Sequence, residues 1–300
     1  MASSSRPLVS VIIPVYNDSS RLRDCLDALG RSTYPRERLE VLVIDNGSTD
    51  DLDSLKADYS WVLWLYEPLP GSYKARNRGL SEARGQIIGF TDSDCQPSLD
   101  WVERGVAALA DAPPEVGLIG GAIEVFCAGT NRTPVELYEM LHAFPQRRYV
   151  EEFDFAVTAN MFVRRQVVEA VGQFDSQLRS GGDHEWGNRA RAAGFRLLYV
   201  DDVRVRHPAR ASWTDVNRKL ARVFAGARDL HGDRLIRTRR LASQLARSVV
   251  PPVRTAYRAR TDPRLVGSRQ LVKYAWALLV MRYLTAWHLL RSVTRRASPR

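Results

Sequence analysis

The sequence predicts an α/β fold built on a mostly parallel sheet, followed by a basic helical extension, and three observations carry that prediction. Through the first hundred residues, short apolar runs alternate with helix-compatible stretches, the pattern of consecutive βαβ units. Each apolar run ends in polar residues, as strands do at the ligand edge of an open sheet. The charge is also divided. Residues 1–200 hold 21 Lys and Arg against 28 Asp and Glu, a net of −7, whereas residues 201–300 hold 23 against 6, a net of +17, so the overall +10 belongs to one end of the chain.

The first strand is Leu8–Ile13, and the helix Ser19–Leu29 follows it. Leu22, Leu26 and Leu29 recur there at helical spacing behind the capping stretch Asp18-Ser19-Ser20. Further strands are expected at Glu40–Ile44, Val62–Tyr66 and Ile87–Phe90, with a helix over Ser72–Ala83 beginning just beyond Pro70-Gly71 and another over Leu99–Ala110. The middle is less regular. Gly117–Phe126 reads as a strand, Pro134–Ala143 as a helix and Ala156–Val163 as a strand rich in β-formers. A glycine break at Ser180-Gly181-Gly182 precedes a helix over Asp183–Ala193 and a strand pair around Phe195–Val205. These segments complete one core, giving a first domain over residues 1–210; residues 211–300 form the helical extension, broken at Pro251-Pro252.

Composition excludes several classes. With 45% apolar and 26% charged residues, 19 Gly and 15 Pro among 300, the chain is neither disordered nor collagen-like, nor a multi-span membrane protein. Cys25, Cys95 and Cys127 are odd in number and fit no zinc spacing, which argues against a disulfide framework and points to a reducing cytoplasm. The run Val9–Val15 behind Arg6 is too short for a signal peptide and no small-residue cleavage site follows it.

Chemistry is therefore sought at the strand ends, in Tyr16–Asp18, Asp45–Asp51 and Thr91–Asp94. Asp45 follows an apolar run and precedes the turn-former Asn46-Gly47, a place where a charge has little structural reason. Asp92-Ser93-Asp94 sets two carboxylates on alternate residues, so both can reach one hard cation, or a cation and a ribose together. Taken alone, that triplet reads as readily as a cap for the helix that follows.

Five segments occur in a fixed order: Val9-Ser10-Val11-Ile12-Ile13-Pro14-Val15-Tyr16-Asn17, Val43-Ile44-Asp45-Asn46-Gly47-Ser48-Thr49-Asp50, Gly71-Ser72-Tyr73-Lys74-Ala75-Arg76-Asn77-Arg78-Gly79, Asp92-Ser93-Asp94 and Gly181-Gly182-Asp183-His184-Glu185. In this combination, over roughly residues 7–210, the chain resembles the family 2 glycosyltransferases, inverting enzymes of the GT-A fold that use nucleotide-activated sugars. The resemblance implies a Rossmann-like mixed sheet. It also implies site residues. Pro14, Tyr16 and Asp45 match the nucleobase pocket, with the Asp45 carboxylate accepting the imide N–H of uracil or thymine; Tyr16 by itself reads equally as a half-buried aromatic at a strand end. Arg76 matches a bidentate donor to the diphosphate, the alternative being a surface helix arginine. Asp92 matches the carboxylate that reaches the ribose and the metal shell, and Asp94 the ligand of a divalent ion, Mn²⁺ or Mg²⁺, whose charge stabilises the departing nucleoside diphosphate. His207 matches a position that in many relatives adds an imidazole to the metal, although a lone His is more often structural.

The same resemblance makes Asp183 the catalytic base that takes the acceptor's proton, against the competing reading of an N-cap aspartate. Thr158 and Asn160, in Thr158-Ala159-Asn160-Met161, match a segment lining the donor-sugar and acceptor region. One departure stands out: relatives commonly carry Glu-Asp where this chain has Gly182-Asp183, and Glu185 is the candidate to replace the missing carboxylate. The QxxRW segment of processive synthases does not occur, which favours transfer of a single sugar.

In residues 234–249, Leu235, Leu241, Leu245 and Val249 fall near one helical face while Arg234, Arg237, Arg239, Arg240 and Arg247 crowd the remainder. Leu271–Leu290 is strongly apolar and carries Trp276 and Trp287, but Lys273 near its start and Arg282 near its centre disfavour a span. An interfacial helix with tryptophans at headgroup level fits better, and packing on the catalytic core is the competing reading. No helix-turn-helix, zinc-finger or RRM pattern accompanies the basic charge, so nucleic acid is not an expected partner. The sequence thus predicts a metal-dependent inverting glycosyltransferase, cytoplasmic and peripheral on the membrane through residues 234–290. It would move one sugar from a nucleoside-diphosphate sugar to a lipid-linked or saccharide acceptor such as a cell-envelope glycan precursor. The alternative is a catalytically silent sugar-nucleotide or membrane-binding protein of the same fold, against which the presence of Asp45, Asp92, Asp94 and Asp183 together argues.

Overall fold

β1 (Val9–Val15) is apolar on both faces, and Val9, Val11, Ile12 and Ile13 are fully buried, as a central parallel strand covered by helices must be. A computed structural model describes this and the other elements over residues 6–231, 250 and 252–294; the basic amphipathic pattern at 234–249 lies outside the described residues. After β1 come α1 (Ser19–Gly30), β2 (Leu39–Asp45), α2 (Asp53–Asp58), β3 (Leu63–Tyr66), α3 (Ser72–Glu82) and β4 (Ile87–Thr91). β1 pairs in parallel with β2 and β4, and β2 with β3, so that Val15, Asp45 and Tyr66 share one register at the strand ends. Pro14, which has no N–H to donate, falls beyond the last β1–β4 pair, Ile12 with Phe90. Gly79 lets α3 approach the sheet closely, because a Cβ there would meet Ile12 Cγ2 at 2.7 Å and Ile44 Cδ1 at 2.9 Å. That approach fixes the position of Arg76, three residues earlier on the same helix.

β5 (Gln96–Pro97), α4 (Trp101–Asp111), β6 (Val116–Phe126), α5 (Pro134–His142), α6 (Gln146–Phe153), β7 (Asn160–Arg164), α7 (Arg165–Val171), α8 (Gly182–Ala192) and β8 (Arg196–Pro208) follow. β7 is antiparallel to both β4 and β6, and β5 to β8, in a sheet ordered β3-β2-β1-β4-β7-β6-β8-β5. The sheet is therefore mixed. The strand expected from Ala156 begins at Asn160, the pair expected around Phe195–Val205 is one strand, and α2, α6 and α7 are additions to the sequence reading.

α9 (Trp213–His231), α10 (Val253–Arg258) and α11 (Gly267–Thr294) complete the described elements. Contacts divide the chain into one unit of residues 1–124, 144–177 and 182–207 and a second of residues 125–143, 178–181 and 208–300. The second unit draws on α5 and on the segment 178–181, both upstream of residue 210.

Within it, α5 opens with a capping box, Thr133 Oγ1 accepting the Glu136 amide and Glu136 accepting the Thr133 amide, which satisfies two helix-end donors. Leu137 and Met140 of α5 cluster with Tyr274 and Leu278 of α11, and Val135 with Val216 of α9 and Met281 of α11. Glu139, 2% exposed, pairs with Arg210 at 2.6 Å and Lys219 at 3.1 Å. The segment 178–181 docks on α9: Arg179 forks onto Asp229 at 2.9 and 2.7 Å, and Gly226 is small because a Cβ there would fall on the Ser180 carbonyl. No helix among the described residues is long and apolar enough to cross a membrane.

Candidate active site

Loops at the ends of β1 and β2 are stitched together by short polar side chains. Asp45 Oδ1 accepts the Ser48 amide at 2.8 Å across the turn that Gly47 makes at φ +82°. Asn17, itself at φ 50°, accepts the Thr49 amide at 2.7 Å through Oδ1. Asn46 pins the approach to α3, donating to the carbonyls of Glu67 (2.9 Å) and Leu69 (2.8 Å) while accepting the Gly71 amide (2.7 Å). Tyr16 is 63% exposed beside this edge and Tyr66, next to Asp45 in register, 60%.

One turn into α3, Arg76 is buried to 4% exposure, and its Nη2 donates to Asp92 Oδ1 at 2.5 Å. Its Nε is also buried and has no hydrogen-bond partner, an uncommon state for a charged donor. Asp94 faces elsewhere: Oδ1 lies 3.4 Å from His207 Nε2 and Oδ2 3.8 Å from Arg21 Nη1. Ser93, between the two carboxylates, donates to Asp18 Oδ2 at 2.8 Å, and Asp18 Oδ1 takes Arg21 Nε. Among the described residues, donor atoms of Asp94, Cys95 and His207 lie within 4.8 Å of one another. Burial pushes the Asp94 carboxyl up, against the pull of His207.

Asp183 sits in the first turn of α8. Its carboxylate accepts from the Thr158 amide at 3.3 Å and the Thr158 hydroxyl at 3.4 Å. The Tyr73 hydroxyl oxygen accepts the Gly182 amide, one residue before Asp183, at 2.9 Å. Gly182 is required here, since a Cβ would meet the Tyr73 ring at 2.7 Å. Burial raises the Asp183 pKa above the ordinary aspartate value, and Asp92 adds to the rise, while Arg76, Thr158 and Tyr73 hold it down.

The structure thus brings Asp183 and Thr158 into hydrogen-bonding contact, Arg76 and Asp92 likewise, and sets His207 beside Asp94. Asp92 and Asp94 turn to different partners. Asn160 is fully buried and its amide is committed to the fold, donating to the Ala122 and Val203 carbonyls (2.8 and 2.9 Å) and accepting from Trp101 Nε1 (2.8 Å). Glu185 is bound bidentately by Arg189 of its own helix at 2.7 and 3.0 Å. Sequence reasoning gave no site role to Tyr73, Cys95 or Arg21, and named Asp18 only within the stretch Tyr16–Asp18 and as a helix cap. The signal for Tyr73 was present: it stands three residues before Arg76, on the same helical face.

Comparison with known proteins decides the family. Residues 10–172 match the model of glycosyl transferase family 2. The glycosyltransferase AglE of Haloferax volcanii is 39% identical over 213 residues, covering 69% of each chain. The chain belongs to glycosyltransferase family 2. This glycosyltransferase is also 31% identical over 220 residues to the pre-mycofactocin glycosyltransferase of Mycobacterium tuberculosis, an alignment spanning 69% of its own length and 44% of that protein's. Its fold is that of GT-A enzymes. A mannosyltransferase from Pyrobaculum calidifontis, solved with GDP-Man and Mn²⁺, superposes with a TM-score of 0.62 at 21% identity over 95% of this chain and 88% of that one. The UDP complex of Staphylococcus aureus TarS does so at 0.53 and 17%, over 95% and 91%.

Proposed function

We propose that this glycosyltransferase is metal-dependent and inverting, and that it moves one sugar from a nucleoside diphosphate to a hydroxyl of a lipid-linked or saccharide glycan precursor at the cytoplasmic membrane face. The observation that carries this reading is the buried Arg76 guanidinium, bound on one side to Asp92 and left with an unpartnered Nε. A phosphate oxygen is the acceptor chemistry that such a donor fits. Pro14, Tyr16 and Asp45 would hold the nucleobase, Asp45 Oδ2 accepting a ring N–H while Oδ1 keeps the Ser48 amide.

The donor set fits a divalent ion: Asp94 and His207 would supply a carboxylate oxygen and an imidazole nitrogen, with Asp92 at its margin, a combination suited to Mn²⁺ and acceptable to Mg²⁺. Bound there, the ion supplies positive charge to the leaving diphosphate. The Pyrobaculum mannosyltransferase solved with GDP-Man and Mn²⁺ supports the pairing of such an ion with a nucleotide sugar.

Asp183 acts as general base. The acceptor oxygen forms its bond to the anomeric carbon as its proton passes to the Asp183 carboxylate, and the sugar's bond to the diphosphate breaks with the electron pair leaving on the nucleotide. A carboxylate whose pKa is raised by burial is better matched to that task than an ordinary one. Thr158, already hydrogen-bonded to Asp183, and Glu185 position the acceptor, while Asn160 holds the strand that follows Thr158. The test is a screen of UDP-, GDP- and dTDP-sugars with Mn²⁺ or Mg²⁺, with and without membrane lipid extract, comparing wild type with Asp183→Asn. Both proteins are expected to bind one donor in a metal-dependent way, and only wild type to transfer. Unchanged turnover in Asp183→Asn overturns the base; absence of donor binding in every condition overturns the reading.

A further inference from the structure

Helix α11 is apolar on two opposite faces, and the described residues bury only one of them. Tyr274, Ala277, Leu278, Met281 and Leu289 are buried, most of them against α5 and α9. On the other side stand Val272 (68% exposed), Trp276 (58%), Tyr283 (66%), Trp287 (55%) and Leu290 (46%). Their spacings of four, seven, four and three residues are returns of a single helical stripe, about 60° wide and about 27 Å long at 3.6 residues per turn and 1.5 Å per residue. A helix apolar all round belongs in a core or against another apolar phase, and no helix among the described residues is long and apolar enough to span one.

The charge around the stripe says which phase. Residues 252–294 carry eight Arg and Lys against one acid, Asp262, and Arg264 binds that carboxylate through two hydrogen bonds. Helical spacing sets Lys273 and Arg291 on one flank of the stripe and Arg282 on the other; Lys273 donates to Asn131 and the Arg132 carbonyl, and Arg282 to the Val250 carbonyl. Arg269 is exposed, and the Arg291 guanidinium lies over the Trp287 ring, 5.3 Å from its centroid. We propose that this face docks on an anionic phospholipid bilayer, the helix lying in the interfacial plane with Trp276, Tyr283 and Trp287 at headgroup level and Arg269 and Arg291 on lipid phosphates. A second copy of the chain would bring the same cations face to face, and residues 232–249 are themselves Arg-rich, so neither supplies the missing negative charge. The inference deepens the membrane contact of the proposed function and rests on that reading for its biological setting, but it is tested by binding alone.

The full chain is sedimented with vesicles of phosphatidylcholine alone and of phosphatidylcholine mixed with phosphatidylglycerol, and tryptophan quenching by brominated phospholipid is read in parallel. Binding is expected only to the anionic vesicles, with quenching, and weakening as salt is raised. Trp276→Ser/Trp287→Ser, at exposed positions, is expected to abolish the quenching difference and most of the binding. Arg269→Gln/Arg291→Gln is expected to weaken partitioning by about fivefold per side chain, with circular dichroism confirming that both double variants fold. Equal binding to neutral and anionic vesicles, or none, overturns the proposal. So does a concentration-dependent dimer that the tryptophan variant abolishes, which assigns the face to a second copy. Tryptophans shielded from acrylamide without lipid assign it to residues 232–249 and overturn it as well. Vesicle binding by a chain inactive with every donor sinks the proposed function alone; transfer to a soluble acceptor without vesicle binding sinks this inference alone.

Discussion

Asp183, half-buried at the ligand edge of the sheet, and Glu139, buried inside the helical unit, are both acids on helices, and their surroundings move their pKa values in opposite directions. Burial is the largest influence on each, and it raises both. At Glu139 two cations outweigh it: Lys219 and Arg210 bind the carboxylate directly and hold its pKa below the ordinary value. At Asp183 the cation that lowers the pKa, Arg76, is hydrogen-bonded to Asp92 instead, and burial prevails. A carboxylate that serves the fold is neutralised in place, whereas one available for proton transfer is hydrogen-bonded by Thr158 and has no salt bridge among the described residues.

The sharpest way to break this comparison is at the base. Asp183→Asn is expected to lower kcat by about 10²–10⁴-fold, the usual contribution of a general base, with donor affinity by calorimetry nearly unchanged. Glu139→Gln should do the reverse. Removing one partner of a buried pair leaves Arg210 and Lys219 facing a neutral amide, at a cost of about 3 kcal/mol in urea unfolding, with faster amide exchange in α5 and α9. Because the folded pKa of Glu139 is depressed, its contribution to stability is full above its unfolded value, about 4.3, and disappears as pH falls through the lower folded value.

Tyr73→Phe keeps the ring that stacks on Phe174 but removes the hydroxyl that accepts the Gly182 amide and helps to hold the Asp183 pKa down. Losing that acceptor next to Asp183 is expected to cost about tenfold in kcat, with the donor KM unmoved. The smallest effect is on the pH profile. Asp183 must be ionised to accept a proton, so kcat rises with pH through its raised pKa, and in Tyr73→Phe, which loses a contact that lowers that pKa, the limb moves to higher pH by about one unit or less. A shift to lower pH in that variant would contradict the assignment of Asp183.

The parallel half of the sheet was legible because burial on both faces writes β1, β2 and β4 as apolar runs, and Pro70-Gly71 and Asp18-Ser19-Ser20 mark the helix starts. α6 was not legible: its surface is laced by Arg147–Glu151 and Arg148–Glu152 pairs, and only Gln146 and Val150 are buried, too few for a periodic stripe. The stretch Phe195–Val205 read as a strand pair, yet it is one strand in which Asp201 and Asp202 are exposed positions bound by Arg204. At the site, the charged residues of each motif could be named from sequence. Which of them meet could not, because the Arg76–Asp92 and Asp94–His207 contacts join residues from different elements. Asn160 shows the cost of that gap: its motif suggests a ligand contact, and only the fold reveals that Trp101, Ala122 and Val203 already occupy its amide.

The docking of residues 178–181 on α9 bears on how this enzyme could be cut or recombined. Every residue assigned to the sheet-edge site lies before residue 208, yet the peptide that leads into Asp183 takes its anchorage from Gly226 and Asp229. A chimaera that exchanges the chain after Pro208 must therefore bring a small residue and an acid at those two positions, or supply another hold on Arg179. Without them the exchange leaves the chemical groups in place but removes the hold on residues 178–181, which end two positions before Asp183.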